Sequence, residues 1–107
     1  MMYSAALRLQ DSPLAAAEQA FLRLAVSRAR TLRDCGQQIA TGQNMTEATD
    51  RIAGIAHQLT GTAETLGFIE IGLIAEELDH HCTTTKDYPQ ISRLLYSLLD
   101  QLSALAR

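Results

Sequence analysis

The sequence predicts an all-α protein, an antiparallel four-helix bundle that takes in residues 1–107 as one domain. Apolar residues recur at three- and four-residue spacing in four successive stretches, which is the pattern of amphipathic helices. Short connections join the stretches, so neighbouring helices are expected to run in opposite directions. A chain of 107 residues with 47% hydrophobic residues is long enough to bury a single core.

The first predicted helix begins at Ser12-Pro13, where a hydroxyl that can cap a helix precedes proline at the first helical position. It should end near Thr41-Gly42. Residues 1–11 are expected to form either an arm or a short extra helix. The apolar stripe of the first helix consists of Leu14, Ala17, Phe21, Leu24, Leu32, Cys35 and Ile39.

The second predicted helix starts at Asn44, because Glu47 follows three residues later in the form of a capping box. Gly67 stands where a C-terminal cap belongs. Between them runs a continuous apolar stripe made of Ala48, Ile52, Ile55, Ala56, Leu59, Ala63 and Leu66.

Two further helices follow. The fourth is expected after Asp87 and Pro89, which are typical of a helix start. The stripe of the third helix is Ile71, Ile74, Ala75, Leu78 and Cys82. That of the fourth is Ile91, Leu94, Leu95, Leu98, Leu102 and Leu105.

Charge and composition exclude several classes of protein. The net charge is -3, with five arginines against three acids in residues 1–44 and four basic residues against nine acids in residues 45–107. This balance argues against nucleic acid as a partner. No run approaches the roughly 18 apolar residues of a membrane span, and no signal peptide is recognisable. Cys35 and Cys82 are too few for a disulfide scaffold, so we expect free thiols in a reducing cytoplasm. We also expect a monomer that does not bind a membrane.

His57 is the candidate functional residue of the second helix. At about 100° per residue it points roughly 150° away from the centre of the apolar stripe, so it should face outward. Its helical neighbours at three and four residues are all small, namely Ala53, Gly54, Thr60 and Gly61. A glycine within a helix costs about 1 kcal/mol relative to alanine, which suggests that the space beside His57 is needed. An exposed histidine without any function is the alternative.

The segment from Ile55 to Asp79 resembles the histidine-containing phosphotransfer (HPt) domains of multistep phosphorelays. Their motif has a leucine two residues after the histidine, usually lysine at three, glycine at four and a small residue at five, and Leu-Gly then closes the helix. The residues that match by type and spacing are His57, Leu59, Gly61, Thr62, Leu66, Gly67, Ile71 and Leu78.

This resemblance implies that His57 is a phosphoacceptor. A histidine can accept a phosphoryl group covalently and pass it on. The expected partners are response-regulator receiver domains, whose own Mg²⁺ assists the chemistry, and a hybrid histidine kinase. The chain itself would need no cofactor and would be a phosphotransfer protein without a kinase core, so it is not expected to be an enzyme in its own right. Gly61 would keep space for the phosphoryl group.

Position 60 departs from the motif of the family. Thr60 stands where lysine is usual, and its hydroxyl can donate a hydrogen bond to a phosphoryl group but carries no charge. Phosphohistidine is therefore expected to be less stabilised than with lysine.

Asp79 is a second candidate because of its register. If the chain turns at Gly67, His57 and Asp79 lie roughly 15 and 18 Å from the turn along antiparallel helices, hence nearly level. The resemblance also implies a role, because the family often has glutamine or glutamate here that orients the histidine ring. Alternatively, Asp79 is a solvated acid on the flank of its helix. Glu76 and Glu77, on the same turn, are less favoured for this role.

Other clusters carry less weight. His80, His81 and Cys82 are adjacent, but neighbouring helical residues point about 100° apart and do not easily share a metal ion. No metal site is therefore predicted. A second function also stays open: the same exposed face could bind a signalling partner without phosphotransfer.

Overall fold

The computed structural model describes residues 13–105, and within that range every regular element is helical. The predicted all-α bundle of four helices is confirmed. The Ser12 cap and the arm or helix over residues 1–11 lie outside the described residues. The helices are α1 (Pro13–Thr41), α2 (Met45–Thr65), α3 (Ile69–His80) and α4 (Tyr88–Leu105), and a π-helical turn, His81–Thr85, continues α3.

Glycines end the first two helices, as predicted. Gly42 and Gly67 have φ angles of 72° and 88°, a left-handed conformation that costs a glycine little. After α2, the Phe68 amide donates to the Ala63 carbonyl over 2.8 Å and the Gly67 amide donates to the Glu64 carbonyl over 3.1 Å. These two bonds form a Schellman motif, which satisfies carbonyls that the end of the helix leaves free.

The predicted capping box at the start of α2 is wrong. Asn44 lies in the left-handed region, with φ 50° and ψ 42°, and its side chain makes no capping hydrogen bond. A side-chain cap requires an extended residue at this position, and asparagine is instead one of the few residues that tolerate a left-handed turn. The Asn44 carbonyl still accepts a hydrogen bond from the Ala48 amide over 2.9 Å, so the helix begins where the sequence predicted.

The helices form a ring in which α1 packs on α2, α2 on α3, α3 on α4 and α4 on α1. Their apolar stripes meet in one core. Within residues 13–105, no helix is both long enough and apolar enough to cross a membrane. The fully buried large side chains of the core include Leu32, Ile52, Leu59, Leu78, Ile91, Leu95, Leu98 and Leu102.

The stripe predicted for α1 is wrong at its N-terminal end. Leu14 and Leu24 are 56% and 48% exposed, and Ala17 is also exposed. Leu14 is in line with the buried residues, but it lies in the first turn of a helix of 29 residues, which is longer than α2 with 21 and α4 with 18. Leu24 lies between the buried Phe21 and Ala25 and is exposed because it points roughly 80° away from the centre of the buried stripe. Phe21 is the first buried residue of α1, and its ring stacks on Phe68 at 5.1 Å.

Candidate functional site

His57 lies on the outer face of α2, with its side chain 82% exposed. The helix holds it there because the adjacent Ala56 and the nearby Leu59 are fully buried in the core. Adjacent positions in a helix point about 100° apart, so burying Ala56 turns the next side chain out of the core. The imidazole is therefore accessible to a large partner.

Asp79 of α3 lies beside the ring. Its Oδ2 atom is 3.3 Å from Nδ1 of His57, and its side chain is 26% exposed. A carboxylate only accepts hydrogen bonds, so in this pair Nδ1 carries the hydrogen and donates. The second ring nitrogen, Nε2, is then left with its lone pair. This distance agrees with the register predicted from the turn at Gly67.

Gly72 is a residue that the sequence reasoning missed, and it brings α3 close to α2. A Cβ atom built on Gly72 would lie 2.9 Å from Cγ of Glu64 and 3.6 Å from the carbonyl oxygen of Thr60. Without a side chain, α3 can approach α2 closely enough for Asp79 to reach His57 two turns further along. The available signal was a glycine within the apolar run of residues 71–75.

Gly54 and Gly61 face open space, in contrast to the crowded Gly72. A Cβ atom built on either glycine would meet nothing within 4 Å. Both residues are exposed on the same side of α2 as His57. The space predicted beside the imidazole is therefore present, and its role as phosphoryl clearance stays a prediction.

Thr60 does not offer the free donor that its sequence position suggested. Its Oγ1 donates a hydrogen bond to the carbonyl of Ala56 over 2.9 Å, and the residue is partly buried. A hydroxyl has one hydrogen, so this bond uses the only hydrogen that Thr60 could donate to a phosphoryl group. Threonine within a helix commonly bonds the carbonyl four residues earlier.

A polar contact between α1 and α2 was also missed. Nη2 of Arg28 donates to Oε1 of Gln58 over 3.1 Å. Partial burial lowers the pKa of the Arg28 guanidinium, which still remains charged. Gln58 and Gly61 also line a cavity of about 400 Å³ against Ala17 of α1. No pattern along the chain indicates this pair, because it joins residues 30 positions apart.

Cys82 points away from the adjacent histidines, whose rings lie edge to face with centroids 5.6 Å apart. Nδ1 of His81 lies 2.8 Å from Oγ1 of Thr85, whereas Cys82 is 1% exposed. Among residues 13–105, no group of three histidine, cysteine or acidic side chains is arranged to hold a metal ion. A cavity of about 640 Å³ between α3 and α4 is lined by residues that include Glu76, Glu77 and His80. Neither His57 nor Asp79 lines it.

Comparison with protein families shows that the model of the Hpt domain matches residues 29–107. The match includes His57, Thr60, Gly61 and Asp79. Searches of curated proteins and of solved structures found no match.

Proposed function

Because the chain belongs to the Hpt domain family, whose members are phosphotransfer modules of two-component phosphorelays, we propose that His57 is its phosphoacceptor. Hpt domains interact with receiver domains and histidine kinases and have no kinase core of their own. The observation that carries the proposal is the pairing of an 82% exposed imidazole with a carboxylate at 3.3 Å.

The chemistry follows from this pairing. Nε2 of His57 attacks the phosphorus of a phosphoaspartate, an N–P bond forms, and the P–O bond to the aspartate breaks, so that the aspartate leaves as a carboxylate. Nδ1 keeps its hydrogen and donates a hydrogen bond to Asp79, which fixes the tautomer and balances the positive charge that develops on the ring. Transfer to a second receiver is the same step in reverse.

The partner completes the site. The receiver supplies the aspartate and the Mg²⁺ that neutralises the charge of the transferring group, and this chain supplies an oriented nucleophile without a cofactor of its own. The open space at Gly54 and Gly61 supports this division, because the receiver's active site must come within bonding distance of Nε2. A hybrid histidine kinase and a response regulator are the proposed donor and acceptor, in the cytoplasm.

The first prediction tests the acceptor. Wild-type protein incubated with a phosphorylated receiver domain should take up label that is lost in mild acid and retained in alkali, as expected for a phosphoramidate. His57→Gln should take up none. The matched control is His80→Gln, which changes another exposed histidine and should leave the label unchanged.

Two outcomes would contradict the proposal. Label retained in His57→Gln would place the acceptor elsewhere. The second outcome is that wild-type protein takes up no label but binds the receiver, and that His57→Gln binds the receiver with the same affinity. The chain would then be an interaction module without phosphotransfer.

A further inference from the structure

Phosphorylation of His57 attaches to Nε2 a phosphoryl group whose oxygens carry almost two negative charges. The nearby side chains do not offset them. Thr60 is uncharged and its hydroxyl bonds Ala56, while Asp79 is itself an acid. A positive charge for the phosphoryl group must therefore come from another element or from the partner.

Arg28 of α1 is the candidate for that charge. Its guanidinium bonds Oε1 of Gln58, the residue directly after His57. Gln58 is a neutral amide, so this contact leaves the charge of Arg28 uncompensated. The bond uses one of the five N–H groups of a guanidinium, and the others stay available to an anion. Partial burial also reduces the screening of the charge by water.

The surface between His57 and Gln58 is open. Around the axis of α2, Gln58 points roughly 100° from His57, whereas Gly61 and Gly54 point roughly 40° and 60° in the same sense. Both glycines thus point into this angular interval, one turn after and one turn before His57, and a Cβ atom on either would meet nothing within 4 Å. No side chain of α2 separates the imidazole from the Gln58–Arg28 pair.

We infer that Arg28 binds the phosphoryl group of phospho-His57 across the surface of Gly54 and Gly61, and supplies the positive charge that Thr60 lacks. This inference rests on the proposed function. Arg28 lies outside residues 29–107, so the family match does not include it. Gln58 holds the guanidinium at the level of His57 before the phosphoryl group arrives.

The test measures the equilibrium ratio of phospho-His57 to phosphorylated receiver. At equilibrium among the free proteins, this ratio depends on the stability of the phosphohistidine. The affinity of the two proteins for each other alters only how fast the equilibrium is reached. Arg28→Gln should lower the ratio about tenfold, and Arg28→Lys should retain most of it. High salt should shrink the difference between wild type and Arg28→Gln. The matched control is Arg30→Gln, an exposed arginine of the same helix, which should leave the ratio unchanged.

A second substitution separates charge from structure. Thr60→Lys places an ammonium one turn from His57, so it should restore the ratio in the Arg28→Gln background and raise it less in the wild type. Thermal unfolding of each variant shows whether the bundle is intact. If Arg28→Gln destabilises the bundle, the ratio is measured well below its unfolding midpoint, where the variant is folded and the comparison with wild type still holds.

The outcomes are distinct. Wild-type protein without acid-labile label on His57 would overturn the proposed function itself. Wild-type protein that takes up label, with a ratio that Arg28→Gln and Arg30→Gln leave equally unchanged, would overturn only the role of Arg28. A folded Arg28→Lys variant with a ratio as low as that of Arg28→Gln would show that charge is not the cause.

Discussion

At the scale of single residues, the site combines one reactive group with a partner that fixes its orientation. The imidazole of His57 is exposed, while Asp79 is only 26% exposed and is held at 3.3 Å by the packing of α3. A partly buried carboxylate moves less than a solvated one, so it can hold the ring in one orientation. Thr60, by contrast, directs its hydroxyl to its own helix.

The role of Asp79 can be tested through the tautomer of His57. Asp79→Ala removes the acceptor for the Nδ1 hydrogen, so the hydrogen should redistribute toward Nε2 and phosphotransfer should slow about tenfold or more. Nitrogen-15 NMR of the imidazole reports the tautomer, and a quenched time course of phosphotransfer reports the rate. Glu77→Ala, on the same turn of α3, is the control and should change neither. An unchanged tautomer in Asp79→Ala would show that the carboxylate does not orient the ring.

The buried thiol of Cys82 predicts a pH dependence of stability. Burial, reinforced by the negative charge of Asp79, raises the pKa of this thiol from 9.0 to about 11. Between these values the unfolded chain loses a proton that the folded protein keeps, so the free energy of unfolding should fall as pH rises from 9 to 11. One proton accounts for at most about 1.4 kcal/mol per pH unit.

Urea denaturation at several pH values, under reducing conditions, measures this slope. Cys82→Val keeps the position apolar and should reduce the loss of stability between pH 9 and 11. Part of the slope should remain, because burial also raises the pKa of Cys35. Equal slopes in Cys82→Val and wild type would show that Cys82 does not contribute.

At the scale of the helix, glycines in α2 and α3 do two different things. Gly61 faces open space, whereas Gly72 faces Glu64 and the backbone of Thr60. The first keeps a surface clear for a partner, and the second allows two helices to approach. Both carry the same intrinsic cost in a helix, so only their surroundings distinguish them.

Substitution of the two glycines should therefore have opposite effects on stability. Gly61→Ala should raise the free energy of unfolding by up to about 1 kcal/mol, because alanine is the better helix former and its Cβ meets no atom. Gly72→Leu should lower it by about 1–3 kcal/mol, because the side chain must push α3 away from α2. Urea denaturation measures both values. Gly72→Leu should also weaken the contact between Asp79 and His57, seen as a change in the imidazole nitrogen shifts.

Gly61→Gln tests the open surface itself. Glutamine is well tolerated in helices, so the fold should remain, while the long side chain should obstruct the receiver and slow transfer to His57. Gly61→Ala adds only a methyl group at the same position, where it meets no atom within 4 Å, so it is the matched control and should transfer at close to the wild-type rate. Transfer at the wild-type rate in Gly61→Gln would show that the space has no function.

At the scale of the whole molecule, one core supports a site that lies entirely on the surface. Each helix packs on two neighbours around this core, and α2 and α3 contribute both core leucines and the His57–Asp79 pair. The site therefore depends on the relative placement of α2 and α3 and not on the interior of the bundle.

A core substitution far from the site should separate stability from activity. Leu98 of α4 is fully buried, so Leu98→Ala should lower the free energy of unfolding by about 2–5 kcal/mol. Well below the unfolding midpoint, His57 of the folded protein should still accept the phosphoryl group from the receiver at the wild-type rate. Thermal unfolding and the transfer assay check the two statements, and a slower rate in fully folded Leu98→Ala would show that the core acts on the site directly.

The sequence by itself determined the four helices, their turns at Gly42 and Gly67, and the outward direction of His57. These are local properties, set by the spacing of apolar residues and by glycine's tolerance of positive φ, so they can be read without knowing the packing. It also predicted that His57 and Asp79 lie level, because a short turn between two helices fixes their register.

Only the tertiary structure decided how near those residues come and what else is there. The 3.3 Å contact depends on the close approach at Gly72, and the Arg28–Gln58 bond joins residues 30 positions apart. The exposure of Leu14 and Leu24 was likewise mispredicted. Such features depend on which helices lie side by side and how far each extends, and a pattern along one helix does not contain that information.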